Sequence, residues 1–205
     1  MTSFAISEVN DFEKKLGGYS HLLNYRYMNL CVKADPVSLL PVTVVEGDEE
    51  HEIEDVADVA KSDDFHLVVI PKYPEVLKDI NRGILEAHPE FKLSVGLLDD
   101  DNPESQFLIC EMPEVDKDRR DFLNDAVKSL YEECKARMGE IKAEEKAGFN
   151  EIFDTHPQDL KEVNDAIDEA YDSAMNGIRA LKDKKLDEIE EGYQRFLLAN
   201  PQSLY

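Results

Sequence analysis

The chain has 205 residues, 34% of them charged, with 23 Lys and Arg against 46 Asp and Glu for a formal net charge of −23. This length fits one or two small domains. No run of about eighteen apolar residues occurs, which excludes a membrane-spanning helix, and the acidity argues against binding nucleic acid or anionic membrane through the average surface.

The first twenty residues carry Glu8, Asp11 and Glu13 and no Arg, which fits neither a secretory signal nor an Arg-rich transit peptide. Val9, Phe12, Leu16, Tyr19, Leu23 and Leu30 predict the apolar face of a first helix, weakened at Gly17-Gly18 by about 1 kcal/mol per glycine relative to alanine. The pattern changes at Asp35-Pro36 and again at Met112-Pro113, where proline stops a helix at the residue before it. These two places are candidate hinges.

Between them, residues 38–45 and 65–70 are short apolar runs that read as strands, and the acid-rich stretch 46–64 reads as a solvated loop. Tyr73-Pro74-Glu75 opens a helix with an apolar face of Val76, Leu77, Ile80, Ile84 and Leu85, which ends at His88-Pro89. Residues 92–98 and 107–110 give two more strands around the turn Asp99-Asp100-Asp101-Asn102-Pro103. After Pro113, helices are expected over about 114–154 and 158–199, interrupted at Thr155-His156-Pro157 and each roughly 60 Å long. Leu123, Val127, Leu130, Cys134, Ile141 and Ile152 share one side of the first. Leu160, Val163, Ile167, Ala174, Ile178, Leu181, Ile189, Tyr193 and Phe196 share one side of the second. Neither helix can bury such a stripe alone, so the two pack antiparallel with the N-terminal helix as third wall. The expected class is therefore α+β: a three-helix bundle of residues 1–33 and 112–205, with a small α/β domain of β-α-β-β type, residues 34–111, inserted between helix 1 and helix 2.

Charge is distributed unevenly over this plan. On a helical wheel of residues 117–146, Lys117, Arg120, Lys128, Lys135, Lys142 and Lys146 fall within an arc of roughly 80°, and acidic residues such as Asp121, Asp125 and Glu132 occupy another. This stripe reads either as a solvated face with pairs such as Lys128 with Glu132 or as a track for phosphates. It can act locally, because charges are screened beyond about 8 Å at physiological salt. The insert, in contrast, has 5 basic and 20 acidic residues, ten of the acids between Glu46 and Asp64. That surface suits a basic partner or simply solvation. A calcium loop is disfavoured, because Asp99-Asp100-Asp101 lacks the alternating ligands and central glycine that such a loop needs.

Signatures of catalysis are missing: there is no Gly-x-Gly-x-x-Gly, Walker loop, His-Glu-x-x-His or Gly-x-Ser-x-Gly. His21, His51, His66, His88 and His156 are scattered, and Cys31, Cys110 and Cys134 lie far apart without Cys-x-x-Cys spacing, which argues against a disulfide framework or a zinc knuckle and for a reducing compartment. The expectation is a protein that is not an enzyme and carries no cofactor or metal.

The plan of one helix, an α/β insert and two long helices resembles ribosome recycling factor. Asp35-Pro36-Val37-Ser38-Leu39-Leu40 followed by Val42-Thr43-Val44-Val45 is similar to that family's hinge and first strand. Residues 53–59 are similar to the next stretch of its small domain, and Leu67-Val68-Val69-Ile70-Pro71 to its central strand. Lys78, Ile80 and Ile84 match the face of its short helix. The most specific match is Met112-Pro113-Glu114-Val115-Asp116-Lys117-Asp118-Arg119-Arg120-Asp121-Phe122-Leu123, which resembles the opening of its second helix, and residues 178–185 are similar to its C-terminal helix.

The resemblance spans about residues 30–192. It implies a monomer that enters the intersubunit space of the ribosome after termination, lays its bundle on large-subunit ribosomal RNA, and separates the subunits with a translocase of the elongation factor G type, with no role for a membrane. It also implies that Arg119 and Arg120 contact ribosomal RNA, that Lys117, Lys128, Lys135, Lys142 and Lys146 extend the track, and that Lys33, Asp35, Pro36, Met112 and Pro113 form the hinge. The family's compartments are the bacterial cytoplasm and the mitochondrial or plastid matrix. The family's arginine-dense stretch corresponds here to Ile141-Lys142-Ala143-Glu144-Glu145-Lys146, with glutamates in place of arginines, and each lost phosphate contact weakens binding and lowers its salt dependence. An alternative is a non-catalytic interaction protein of the same fold that holds a basic protein through its acidic insert.

Overall fold

The computed structural model describes residues 3–153 and 157–204. Three long helices, α1 (Ser3–Met28), α4 (Lys117–Ile152) and α5 (Pro157–Ala199), bracket a sheet-containing insert. The fold is the α+β one expected, a long helical bundle plus a small antiparallel-sheet domain. By contacts the chain divides into two compact units. One joins the chain up to Tyr27 with Asp118–Glu190, and the other joins Met28–Lys117 with the chain from Glu191 onward.

In the helical unit, Val9, Phe12, Leu16 and Leu23 of α1 are buried as their spacing requires, and Gly17-Gly18 lies within the helix without ending it. Leu30 does not join that face, since α1 ends at Met28. On α4 the buried residues are Leu123, Val127, Tyr131, Cys134, Met138 and Phe149, while Ile152 is exposed. The buried line thus drifts across the expected one, and Tyr131, Met138 and Phe149 replace Leu130, Ile141 and Ile152, because 3.6 residues per turn do not repeat in register over ten turns. Val163, Ile167, Met175, Ile178 and Ile189 form the buried line of α5. Polar contacts tie the helices together: the buried Tyr27 hydroxyl donates to the Val127 carbonyl at 3.0 Å, and Arg26 pairs with Glu133 at 2.8 Å. The expected interruption at Thr155-His156 lies outside the described residues, and α5 begins at Pro157, whose fixed φ and missing N–H suit a first helical turn.

The second unit contains β1 (Thr43–Glu46), β2 (Glu49–Glu52), α2 (Ile53–Val56), β3 (Ala57–Lys61), β4 (His66–Pro71), α3 (Leu77–Ala87), β5 (Lys92–Leu97) and β6 (Gln106–Glu111). Strands β1 and β2 form an antiparallel hairpin that turns at Gly47, where φ is +62°. The other four form an antiparallel sheet in the order β3-β4-β6-β5. Leu67 and Val69 of β4, Leu108 and Cys110 of β6, and Leu77, Ile80 and Ile84 of α3 build one core with Val44, Ile53 and Val56.

Two expectations fail in this unit. Residues 38–45 are not one strand: Pro36–Leu39 forms a 3-10 turn whose first amide is capped, with Val37 N donating to the Asp35 side chain, and the strand starts only at Thr43. The stretch 46–64 is not a loop, since it forms β2, α2 and β3. Its acids point outward while Ile53, Val56 and Ala57 are buried, so three small apolar residues decide the fold of a segment whose composition suggests solvation.

Tight packing fixes α3 against the hairpin. A Cβ on Gly83 would stand 2.5 Å from the Thr43 carbonyl oxygen, so no other residue lets helix and strand approach this closely. Gly96 is covered by the ring of Phe107, its partner across β5 and β6.

Candidate nucleic-acid interface

The helical period places the buried line of α4 beside the lysine row, so the row follows one border of the packed face. Lys117, Lys128 and Lys135 are exposed, whereas Arg120, Lys142 and Lys146 are half-buried. Arg119 is also half-buried, but it lies 100° from Arg120 on the helix, on the opposite border of the buried line. The two arginines therefore flank the packed face and do not continue a single stripe.

Segregation by sign is weaker than the wheel suggests. Lys128 pairs with Asp125 at 3.7 Å, in place of Glu132, and Lys135 pairs with Glu132 at 3.3 Å. Arg120 reaches its neighbour Asp121 at 2.9 Å. These carboxylates sit one turn or less away, within reach of flexible side chains whatever arc they occupy on a wheel.

Farther along, the lysines leave their own helix. Lys142 and Lys146 both reach Asp168 of α5, at 2.8 and 2.6 Å. The Lys142 ammonium also lies 4.2 Å from the centre of the Tyr171 ring, and Lys182 of α5 lies 4.8 Å from that of Tyr131. Hydrogen bonds from Lys142 and then Lys146 hold the Asp168 carboxyl below its ordinary value of 3.8. A seam between α4 and α5 thus holds Lys142 and Lys146 on Asp168 with Lys142 over Tyr171, and farther along it Lys182 over Tyr131, paired with Asp183 at 3.3 Å. Lys182 joins it without having been expected; the Lys-rich run at 182–185 was its only sequence signal, and the α5 partner positions are invisible without the packing. Asp168 is 45% exposed, and ion pairs so open to water contribute at most about 1 kcal/mol. A phosphate could therefore replace the carboxylate at little cost.

The expected hinge residues lie in the second unit. Lys33 and Asp35 are exposed, Pro36 and Pro113 are half-buried, and Met112 is buried. Both expected hinge segments are tied to the turn between β3 and β4: Ala34 N donates to the Asp64 carbonyl and Met112 N to the Phe65 carbonyl, each at 2.8 Å. The Asp64 carboxyl is held below its usual range by Lys61 first, with Arg195 and Lys33 adding to the effect.

A further cluster in this unit joins residues far apart in sequence. The His88 ring is 2% exposed, stacks on Phe91 at 4.6 Å, and places Nε2 3.0 Å from the Ser38 carbonyl. Its Nδ1 lies 4.0 Å from Cys31 Sγ and 3.5 Å from Glu90 Oε1. Burial opposes a charge on this ring, but Cys31, Glu90 and Ser38 outweigh it and raise the His88 pKa to about 10. The pair His88-Pro89-Glu90 is visible in sequence. Nothing there connects it to Cys31, 57 residues earlier.

A family model described as ribosome recycling factor matches residues 26–189, and no curated protein matches the sequence. Among solved structures, a solution structure of the ribosome recycling factor is similar with a TM-score of 0.74 at 14% identity, over 93% of this chain and 100% of its own. A second, described as models for the T. thermophilus ribosome recycling factor and the E. coli elongation factor G bound to the E. coli post-termination complex, is similar with a TM-score of 0.60 at 21% identity. That likeness covers 92% of this chain and 99% of the other. At these identities the two structures establish the fold.

Proposed function

Because the chain belongs to the ribosome recycling factor family, matched over residues 26–189, we propose that it binds the post-termination ribosome and separates the subunits together with a translocase of the elongation factor G type. Family membership makes it a non-enzymatic, ribosome-binding factor, so its work is done by binding and by movement of parts. The similar structure of a recycling factor with elongation factor G on a post-termination complex supports the choice of partners.

The observation that carries the reading is the cationic α4–α5 seam on a chain with net charge −23. In this reading Arg119, Arg120, Lys117, Lys128, Lys135, Lys142 and Lys146 bind ribosomal RNA, and Lys182 is added to them. Residues 1–33 and 112–205 act as the RNA-binding domain of a monomer and 34–111 as the domain on which the translocase works. The hinge comprises Lys33, Asp35, Pro36, Met112 and Pro113. The setting is a bacterial cytoplasm or an organellar matrix.

Sedimentation with bacterial and organellar ribosomes tests this reading directly. Binding at low salt that weakens at moderate salt is the expected result; no co-sedimentation with either ribosome at either salt would overturn it. The double variant Arg119→Glu, Arg120→Glu should lose binding.

A second reading is favoured by the hairpin, where Glu49, Glu50 and Glu52 are exposed and Glu54 and Asp55 follow them. In this reading the insert holds a basic protein. It predicts that Glu49→Lys, Glu50→Lys abolishes capture of that protein while ribosome binding is unchanged.

A further inference from the structure

We propose that Cys31, His88 and Glu90 form a zinc-binding site with a solvent-facing fourth position. Sγ, Nδ1 and a carboxylate oxygen of the three residues all lie within 4.8 Å of one another. A zinc ion with bonds of about 2.3 Å to sulfur and about 2.0–2.1 Å to nitrogen and oxygen requires ligand separations of roughly 3.6 Å for sulfur to nitrogen and 3.4 Å for nitrogen to oxygen. The present separations of 4.0 and 3.5 Å lie within a few tenths of an ångström of those values. The sulfur and the carboxylate oxygen, which lie within 4.8 Å of each other, must also approach to roughly 3.6 Å, a movement that falls on the partly exposed Glu90 side chain.

The surroundings favour a metal in other ways. His88 Nε2 faces the Ser38 carbonyl at 3.0 Å, so Nε2 keeps its proton, and an ion bound between Cys31 and Glu90 takes the place of the Nδ1 proton that faces these two groups on the free ring. An outer hydrogen bond of this kind fixes the tautomer and ring orientation of a metal-bound histidine. Stacking on Phe91 fixes the plane. Cys31 is 4% exposed and His88 2%, whereas the Glu90 side chain is 32% exposed. The open coordination position therefore lies on the carboxylate side, where water reaches it. A thiolate, an imidazole and a carboxylate together match zinc better than magnesium or calcium, which take oxygen ligands.

Such an ion would couple the segment that follows α1 to the turn between α3 and β5. Its effect is on the stability of the second unit and on the freedom of the chain at Cys31. The inference does not depend on the ribosomal reading, and its test uses no ribosome.

The experiment titrates the untagged, metal-free, reduced full-length protein with Co²⁺ as a spectroscopic probe, then with Zn²⁺ in competition. The expected result is one equivalent of Co²⁺ with a thiolate-to-cobalt charge-transfer band, displaced by one equivalent of Zn²⁺ and accompanied by a higher melting temperature. Cys31→Ser should abolish the band, and Cys134→Ser should leave it intact. Glu90→Gln, a partly exposed change that leaves the core alone, should weaken Zn²⁺ by more than the ~10-fold that loss of an outer-sphere contact already costs. No thiolate band in the parent protein, a band that survives Cys31→Ser, or unchanged Zn²⁺ affinity in Glu90→Gln would each overturn the site.

Discussion

Replacing Asp168 by Asn should destabilise the helical unit slightly and strengthen its binding to ribosomal RNA. One carboxylate holds both Lys142 and Lys146, at 2.8 and 2.6 Å. Its loss leaves two ammonium groups without that partner, one of them, Lys142, over the Tyr171 ring. Because Asp168 is 45% exposed, water and salt screen the pairs, and the loss of stability is at most about 1 kcal/mol, or ~2–4 °C in melting temperature for a chain of this size. The Asp168 pKa is lowered from 3.8 by the two lysines. Its contribution is therefore full above that value and is lost as pH falls through the lower, folded-state one. Wild type and variant should differ in stability at neutral pH and converge in acid. For RNA the sign is opposite. In the wild type Asp168 competes with phosphate for both lysines; each lysine released fully to a phosphate steepens the dependence of log affinity on log salt by about 0.7–0.9, so the variant gains at most roughly 1.4–1.8. Ribosome binding measured from 50 to 200 mM salt provides the slope, and thermal denaturation provides the stability. A variant less stable but with an unchanged salt slope would show that the seam is packing alone and would refute the phosphate track.

Other consequences concern the second unit and the cysteines. Gly83→Ala should destabilise by about 1–3 kcal/mol through overpacking against the Thr43 carbonyl, although helix propensity alone predicts a gain of up to about 1 kcal/mol; the sign of the shift in urea midpoint decides between them. Asp35→Ala should cost about 1 kcal/mol by removing the cap on Val37 N, read by the same denaturation. The buried Cys110 thiol is pushed up to about 12 by desolvation, so it should stay unalkylated by iodoacetamide at pH 8 in the native protein and react on unfolding, as mass spectrometry of the peptides would report.

Much of the helical architecture is legible in the sequence because it follows from period. The faces of α1 and α5 repeat at three and four residues, and Pro157 opens α5, whereas α1 ends at Met28, well before Pro36, and Pro113 follows a strand, not a helix. What is not legible depends on partners distant in sequence. Strands β2 and β3 hide among ten acids because their burial rests on Ile53, Val56 and Ala57, with Val59 partly buried beside them, packed against a core made elsewhere. The lysines of α4 are visible as a row, yet their pairing with Asp168 follows from how α5 lies beside α4, and no helical wheel contains a second helix. Likewise, His88 looks solitary until Cys31 is brought to its Nδ1.

The claim on which the account depends is that this acidic chain recycles ribosomes. Light scattering of purified post-termination complexes, bacterial and organellar, mixed with the protein, a cognate translocase and GTP measures subunit separation directly. A fall in scattering that requires all three components, and that Arg119→Glu, Arg120→Glu abolishes, is the predicted result. Scattering that stays constant with every cognate pair of ribosome and translocase would contradict it.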